Sequence, residues 1–191
     1  MPNWCNNTLE ITHSDPAMIE RARSAFADGR LLDEFHPVPN DLKIVAGRVG
    51  ADDDQAQKDL VAQEQANRAK YGYANWYDWC VNEWGTKWDV GGNGYEAQDI
   101  PNGLIMTFDS AWAPPVRAME QLVDLGFDVR LMYYEPGMAF CGVWENNDDD
   151  YYEIGGMSSS AIAAMLPAEL DEAFGISEQV AEYEAEEAQD E

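Results

Sequence analysis

The sequence predicts an α+β fold, an antiparallel sheet with helices on one face. Three observations predict it. Short segments alternate in side-chain character at 8–12, 104–108 and 129–134, the period of a half-buried strand, and 140–144 reads as a further strand. Helical patterns with start and stop signals stand between them. The chain has 191 residues, 46% of them hydrophobic, enough for one domain with a real core.

The elements follow in order. At 8–12, Leu9 and Ile11 share one face while Thr8, Glu10 and Thr12 share the other. The next stretch, SDPAMIERARSAFADG, begins a helix with Asp15 as cap and Pro16 at the first helical position. Met18, Ile19, Ala22, Ala25 and Phe26 form its apolar face, and Gly29 suits the stop. EFHPVPNDL holds two prolines and reads as an irregular connection. Residues 52–70 are rich in Ala, Gln, Asp and Lys, with few large apolar side chains. They predict a solvated helix, with Asp52, Asp53 and Asp54 placed where a helix N-terminus favours negative charge.

Residues 75–90 read NWYDWCVNEWGTKWDV. Asn75 can cap, Asp78 stands at the third helical position, and Gly85 can end the helix. Trp76, Trp79, Cys80 and Trp84 then share one face, which must be buried. Trp88 lies beyond the helix beside Lys87, where its ring can remain exposed. A weak strand is expected within 94–100, after the turn-like GGNG. AWAPPV starts a helix at its proline pair, with Val116, Met119, Leu122 and Val123 inward and Gly126 at the stop.

After the strand at 140–144, ENNDDD reads as a polar protruding loop and YYEI as a possible return strand. A short apolar helix is expected at 161–166. The end, EYEAEEAQDE, is an acidic tail without a core pattern, and truncation before Glu178 is expected to leave the fold intact. Two split β-α-β units in this order give a ferredoxin-like sandwich. The predicted organisation is a ferredoxin-like domain at 1–155, with a Trp-rich helical insertion at about 51–90. A helical, acidic extension follows at 156–191.

The opening MPNWCNN, the segment NEWGTKWD, the AWAPP before the second sheet-covering helix, and YYEPGMAFCG resemble uncharacterised phage- and plasmid-encoded proteins with a YubB-type ferredoxin-like domain. The resemblance implies the ferredoxin-like fold and a mobile-element origin. It brings no established activity and no catalytic residues. The 52–70 stretch and the tail after Gly155 fall outside it.

Charge bounds the function. The formal net charge is −26, with 11 basic residues against 37 acidic ones. A sequence-independent hold on nucleic acid needs many Lys and Arg contacts to phosphate, so direct DNA or RNA binding is not expected. An anionic membrane repels such a chain. Cys5, Cys80 and Cys141 are odd in number and far apart, unlike a disulfide framework. The opening shows no basic n-region and no apolar h-region, so no secretory signal is expected. A cytoplasmic location follows as the expectation.

Chemistry-bearing motifs are weak. Cys5, Cys80, Cys141, His13 and His36 lack the close spacing of zinc motifs. ENNDDDYYE lacks the glycine and spacing of an EF-hand. No GK[ST] follows GGNG, and neither GxSxG nor HExxH occurs. No cofactor, metal or catalytic residue is assigned.

No Lys or Arg follows Arg130. Within that base-free segment, Glu145, Asp148, Asp149, Asp150 and Glu153 are the candidate partner-binding residues. The expected partner is a basic host protein that handles nucleic acid, met by DNA mimicry or steric blocking, as in anti-restriction or anti-CRISPR proteins. A small metal-dependent hydrolase or nuclease and a structural or regulatory interaction module remain the alternatives.

Overall fold

The computed structural model describes residues 3–52, 54–92 and 94–190. Met1 and Pro2 of the opening motif, Asp53 of the aspartate run, Asn93 of GGNG and Glu191 of the tail lie outside the described residues.

The protein is α+β. Six strands among the described residues form one antiparallel sheet, and β1 (Trp4–Thr12) runs at its centre. On one side β1 pairs with β3 (Gly103–Ala111), Leu9 opposite Met106. On the other it pairs with β4 (Asp128–Glu135), Leu9 opposite Leu131. The short β2 (Ala97–Ile100) flanks β3. β5 (Phe140–Glu145) and β6 (Asp148–Glu153) extend the sheet past β4, giving the order β2-β3-β1-β4-β5-β6. β1 and β2 are therefore parallel with β3 between them, and β3 and β4 are parallel with β1 between them. Each parallel pair is thus split by a strand of the other, so the two pairs interleave.

Alternation along the strands makes two faces. Cys5, Leu9, Ile11, Leu104, Met106, Phe108, Val129, Leu131 and Tyr133 turn to the main core. Helix α1 (Pro16–Ala27) lies over it, started by Asp15, whose carboxylate accepts from Ala17 N. Its Ile19, Ala22, Ala25 and Phe26 are buried as the periodicity predicts. The five-residue α2 (Leu31–Phe35) and helix α5 (Val116–Asp124) complete this layer through Leu31, Leu32, Met119 and Leu122.

Between α2 and β2 the chain forms α3 (Gln55–Tyr71) and α4 (Trp76–Glu83). Helix α3 is solvated, and its buried residues are Gln57 and Asn67. It is anchored by two buried amides and, at its C-terminal end, by Tyr71, which packs against the main core. Gln57 accepts from Val49 N at 3.0 Å, and Asn67 donates to the carbonyls of Asp41 and Ala74, each at 2.9 Å. Asp52 and Asp54 precede the helix rather than occupy its first turn.

The other face of the sheet carries a second core. Met132, Tyr134 and Cys141 from β4 and β5 meet Ile162, Leu166, Leu170 and Ile176. These last come from α6 (Ser159–Met165) and its C-terminal boundary, α7 (Ala168–Phe174) and the start of α8 (Ile176–Asp190). Helices before residue 155 cover one face as expected, and the C-terminal helices add a layer to the opposite one. The extension is helical, in line with its sequence reading, but the expected lack of core packing is corrected: Val180 packs against the second core, and Glu184 accepts from Ser159 N at 3.1 Å and Ser159 Oγ at 2.6 Å.

Candidate functional site

The five candidate acids cluster at the β5–β6 hairpin, but not in a loop. Asn146 and Asn147 both have positive φ, 45° and 78°. Glu145 stands opposite Asp148, so these two asparagines form the whole connection. A two-residue turn with both φ positive matches strand twist, and Asn tolerates that conformation. The tight turn leaves Asp148, Asp149 and Asp150 inside β6, the edge strand, which corrects the expectation of a protruding ENNDDD loop.

Strand alternation divides the acids. Asp149 lies opposite Trp144 and Glu153 opposite Phe140, on the face of the main core. Asp148 lies opposite Glu145 and Asp150 opposite Val143, on the other face. All five side chains are exposed. Asp149 accepts from the Tyr133 hydroxyl at 2.8 Å. That hydroxyl passes over Gly142, where any Cβ would collide with it. Burial, then the hydrogen bond to Asp149, pushes the Tyr133 phenol well above its ordinary range.

Glu145 lies 3.4 Å from Arg130, whose guanidinium also makes a two-pronged contact to Glu169 at 2.7 and 2.9 Å. The last base of the chain is thereby engaged by two carboxylates. Charged side chains on an edge strand also hinder another strand from pairing with it.

The tryptophans divide as well. Asn75 caps α4 by accepting from Tyr77 N and Asp78 N. Trp79 and Trp84 are buried, edge to face at 5.5 Å, and the Trp84 indole donates to the His36 carbonyl at 2.9 Å. Cys80 is buried beside them, and Trp76 is half-buried.

Beyond Gly85, Thr86 locks onto β3. Its hydroxyl accepts from Ala111 N and donates to Ala111 O, each at 3.0 Å. This brings Trp88 next to Trp4, the ring centroids 5.9 Å apart. Trp88 is 39% exposed, Trp4 46% and Trp112 40%. Lys87 Nζ lies 4.5 Å from the centre of the Trp88 ring, and 5.4 and 5.5 Å from those of Trp112 and Tyr77. The sequence singles out Trp88 as exposed. It misses Trp4 and Trp112, which reach the same place only through the β1–β3 register.

Trp4 and Trp88 wall a cleft of about 270 Å³, with Tyr95, Asp89 and Asp109 also lining it. Asp109 accepts from Asn6 Nδ2 at 2.7 Å and from the Tyr95 hydroxyl at 2.8 Å. Asp89 has a different task. Its carboxylate accepts from the backbone N–H groups of Leu32, Asp33 and Val90 at 2.7–2.8 Å. Burial raises its pKa against the pull of those donors. It ties the segment after α4 to the start of α2. A more open hollow of about 360 Å³ adjoins the far end of Trp88, with Arg30, Lys43, Lys87 and Trp76 on its rim.

The cysteines do not form a site. Burial pushes the Cys5 and Cys80 thiols up to about 12 and Cys141 to about 11. Protonated, enclosed thiols are poor nucleophiles and poor ligands. Among the described residues no three of His, Cys, Asp and Glu converge as a metal site. A thiol reagent at pH 8 should therefore modify the native protein slowly and all 3 cysteines at once in denaturant. Rapid native labelling would contradict this burial. No helix among the described residues is long and apolar enough to cross a membrane.

No family model matches the chain. No curated protein matches it. Among solved structures it is similar to protein api92 from Yersinia pseudotuberculosis, assigned to the family model DUF1281. The identity is 15% and the TM-score 0.39, over 82% of this chain and 99% of that one. A likeness at that level carries no argument about fold or function.

Proposed function

We propose that this is a non-enzymatic protein of a phage or plasmid that binds and inhibits a basic, nucleic-acid-handling protein of host defence, of anti-restriction or anti-CRISPR type. It acts in the host cytoplasm by presenting carboxylates where DNA presents phosphates. One observation carries the reading: Asp148, Asp149 and Asp150 are consecutive residues of a fixed, exposed edge strand. A strand rises about 3.3 Å per residue. One strand of B-DNA places a phosphate about every 3.4 Å. Along the strand axis the charge density therefore matches, with Asp148 and Asp150 on one face and Asp149 on the other, and the ladder to β5 holds the acids in place before any partner arrives. The base-free segment after Arg130 widens the negative surface with the exposed acids of α7 and α8. The interleaved split units support the ferredoxin-like reading of the sheet, while the mobile-element origin rests on the sequence resemblance alone.

The test joins capture with competition. The protein should retain a DNA-binding host protein at low salt, release it along a salt gradient, and lose it to added duplex DNA. The triple variant D148N/D149N/D150N keeps side-chain shape, and the new amide oxygen at position 149 still offers Tyr133 an acceptor. Its association rate should fall about tenfold at low salt, and the deficit should shrink as salt screens the field. A partner that binds DNA and this protein together, or an unchanged rate in the variant, would refute the reading.

A further inference from the structure

We propose that the cleft walled by Trp4 and Trp88 receives one arginine side chain of the partner protein. This rests on the reading that the partner is basic, and it names a contact separate from the acidic edge.

Four observations point to a guanidinium. Two exposed indoles form the wall, their planes tilted by 36°. An indole face attracts a cation more strongly than any other aromatic ring. Among the described residues no Lys or Arg lines the cleft, whereas Asp89 and Asp109 both do, so an anion is disfavoured there. Asp109 is half-buried, and each of its oxygens already accepts one hydrogen bond. A carboxylate oxygen offers two lone pairs, so a donor fork can add to these bonds without displacing them. The volume of about 270 Å³ falls just below the range of about 300–1,000 Å³ usual for whole small-molecule sites. It suits one long side chain.

Arginine is favoured over lysine because its planar group both stacks on indole and meets carboxylate with paired donors. The chain shows the same chemistry within itself, since Lys87 already lies over the Trp88 ring without lining the cleft.

The location also suits a second point of attachment. Asn6, Tyr134, Cys141 and Tyr152 are paired in one row across β1, β4, β5 and β6. Three strand spacings of about 4.8 Å separate the two ends of that row, or about 14 Å, and because Asp149 is level with Leu9, five residues along β1 from Trp4, the acids lie about 22 Å from the cleft. One partner surface of ordinary size, about 800 Å², can span the cleft and the acidic edge together. Trp, Tyr and Arg are the residues that most often dominate such surfaces energetically.

The experiment uses the full chain and the probe N-acetyl-arginine methylamide, followed by the indole N–H resonances of Trp4 and Trp88. The probe should shift both resonances saturably. W88A and W4A, each removing an exposed ring, should retain the fold by circular dichroism and weaken the probe about tenfold. The matched citrulline amide, isosteric but neutral, should not bind. Equal binding of citrulline, an unchanged affinity in both variants, or a lysine amide that binds as tightly would overturn the assignment. The D148N/D149N/D150N protein should bind the probe normally. A probe that fails while the partner is still captured through β6 refutes this inference alone; a probe that binds while the β6 variant behaves as wild type refutes only the edge-strand reading.

Discussion

Replacing Trp84 with alanine will destabilise the protein by about 3–5 kcal/mol. The ring is 4% exposed, stacks edge to face on Trp79, and donates its indole proton to the His36 carbonyl. Three losses coincide: the transfer energy of the ring, its packing contacts in the main core, and the hydrogen bond to the part-buried His36 carbonyl. Trp88→Ala is the internal comparison. That ring is 39% exposed, so its removal should cost no more than about 1 kcal/mol. Urea denaturation of the two variants measures the contrast through the midpoint at constant slope. Equal midpoints would mean that the two rings share one environment, contrary to the packing described above.

The contrast within one stretch, residues 75–90, shows what is legible in the sequence. Spacing places Trp79, Cys80 and Trp84 together because a helix fixes their common face, and Asn75 marks where it starts. The strands at 8–12 and 104–108 are legible for a similar reason: one buried face forces alternation, whereas at 129–134 both faces are buried, and Met132 and Tyr134 break the pattern. Helix α3 is legible by default, since its composition offers no apolar stripe. What seats α3 is not legible, because Gln57 and Asn67 look like any surface amides until Val49, Asp41 and Ala74 are brought beside them.

The edge strand reads as a loop for a definite cause. Three aspartates have poor strand propensity. The Asn146–Asn147 pair holds the opposite signal, because it suits a two-residue turn between paired strands. Turn chemistry outweighs propensity here, since β6 needs only the ladder to β5 and has no second neighbour to satisfy. The aromatic cleft lies further from sequence reading. Trp4, Trp88 and Asp109 come from three distant segments, and the register that pairs Trp4 with Ala111 is a tertiary fact.

The second core has the same character and yields the other large expected effect. Leu170→Ala should destabilise the protein by about 2–5 kcal/mol. Leu170 is fully buried, with Ile162 and Ile176, against the Met132, Tyr134 and Cys141 face of the sheet. No periodicity announces this core. Pro167 and Gly175 break the segment into short helices, each giving only one or two apolar anchors. The acidic remainder then reads as solvated tail.

The energetic weight nevertheless falls unevenly along the extension. Removing residues 178–191 takes away Val180, which is half-buried, at a cost of about 1 kcal/mol. It also removes the Glu184 carboxylate. Its hydrogen bonds to Ser159 hold that carboxyl below its ordinary range, so their contribution is present at neutral pH and fades as pH falls through the lowered value. The truncated chain should therefore still unfold cooperatively, with a modestly lower melting temperature, while Leu170→Ala in the full chain loses several times as much. Near-ultraviolet circular dichroism around Tyr134 and melting curves of both proteins measure the difference. If Leu170→Ala melts like wild type, the C-terminal helices do not form a core with β4 and β5. If instead the truncation matches Leu170→Ala, the docking energy resides in α8 rather than in the buried anchors before it.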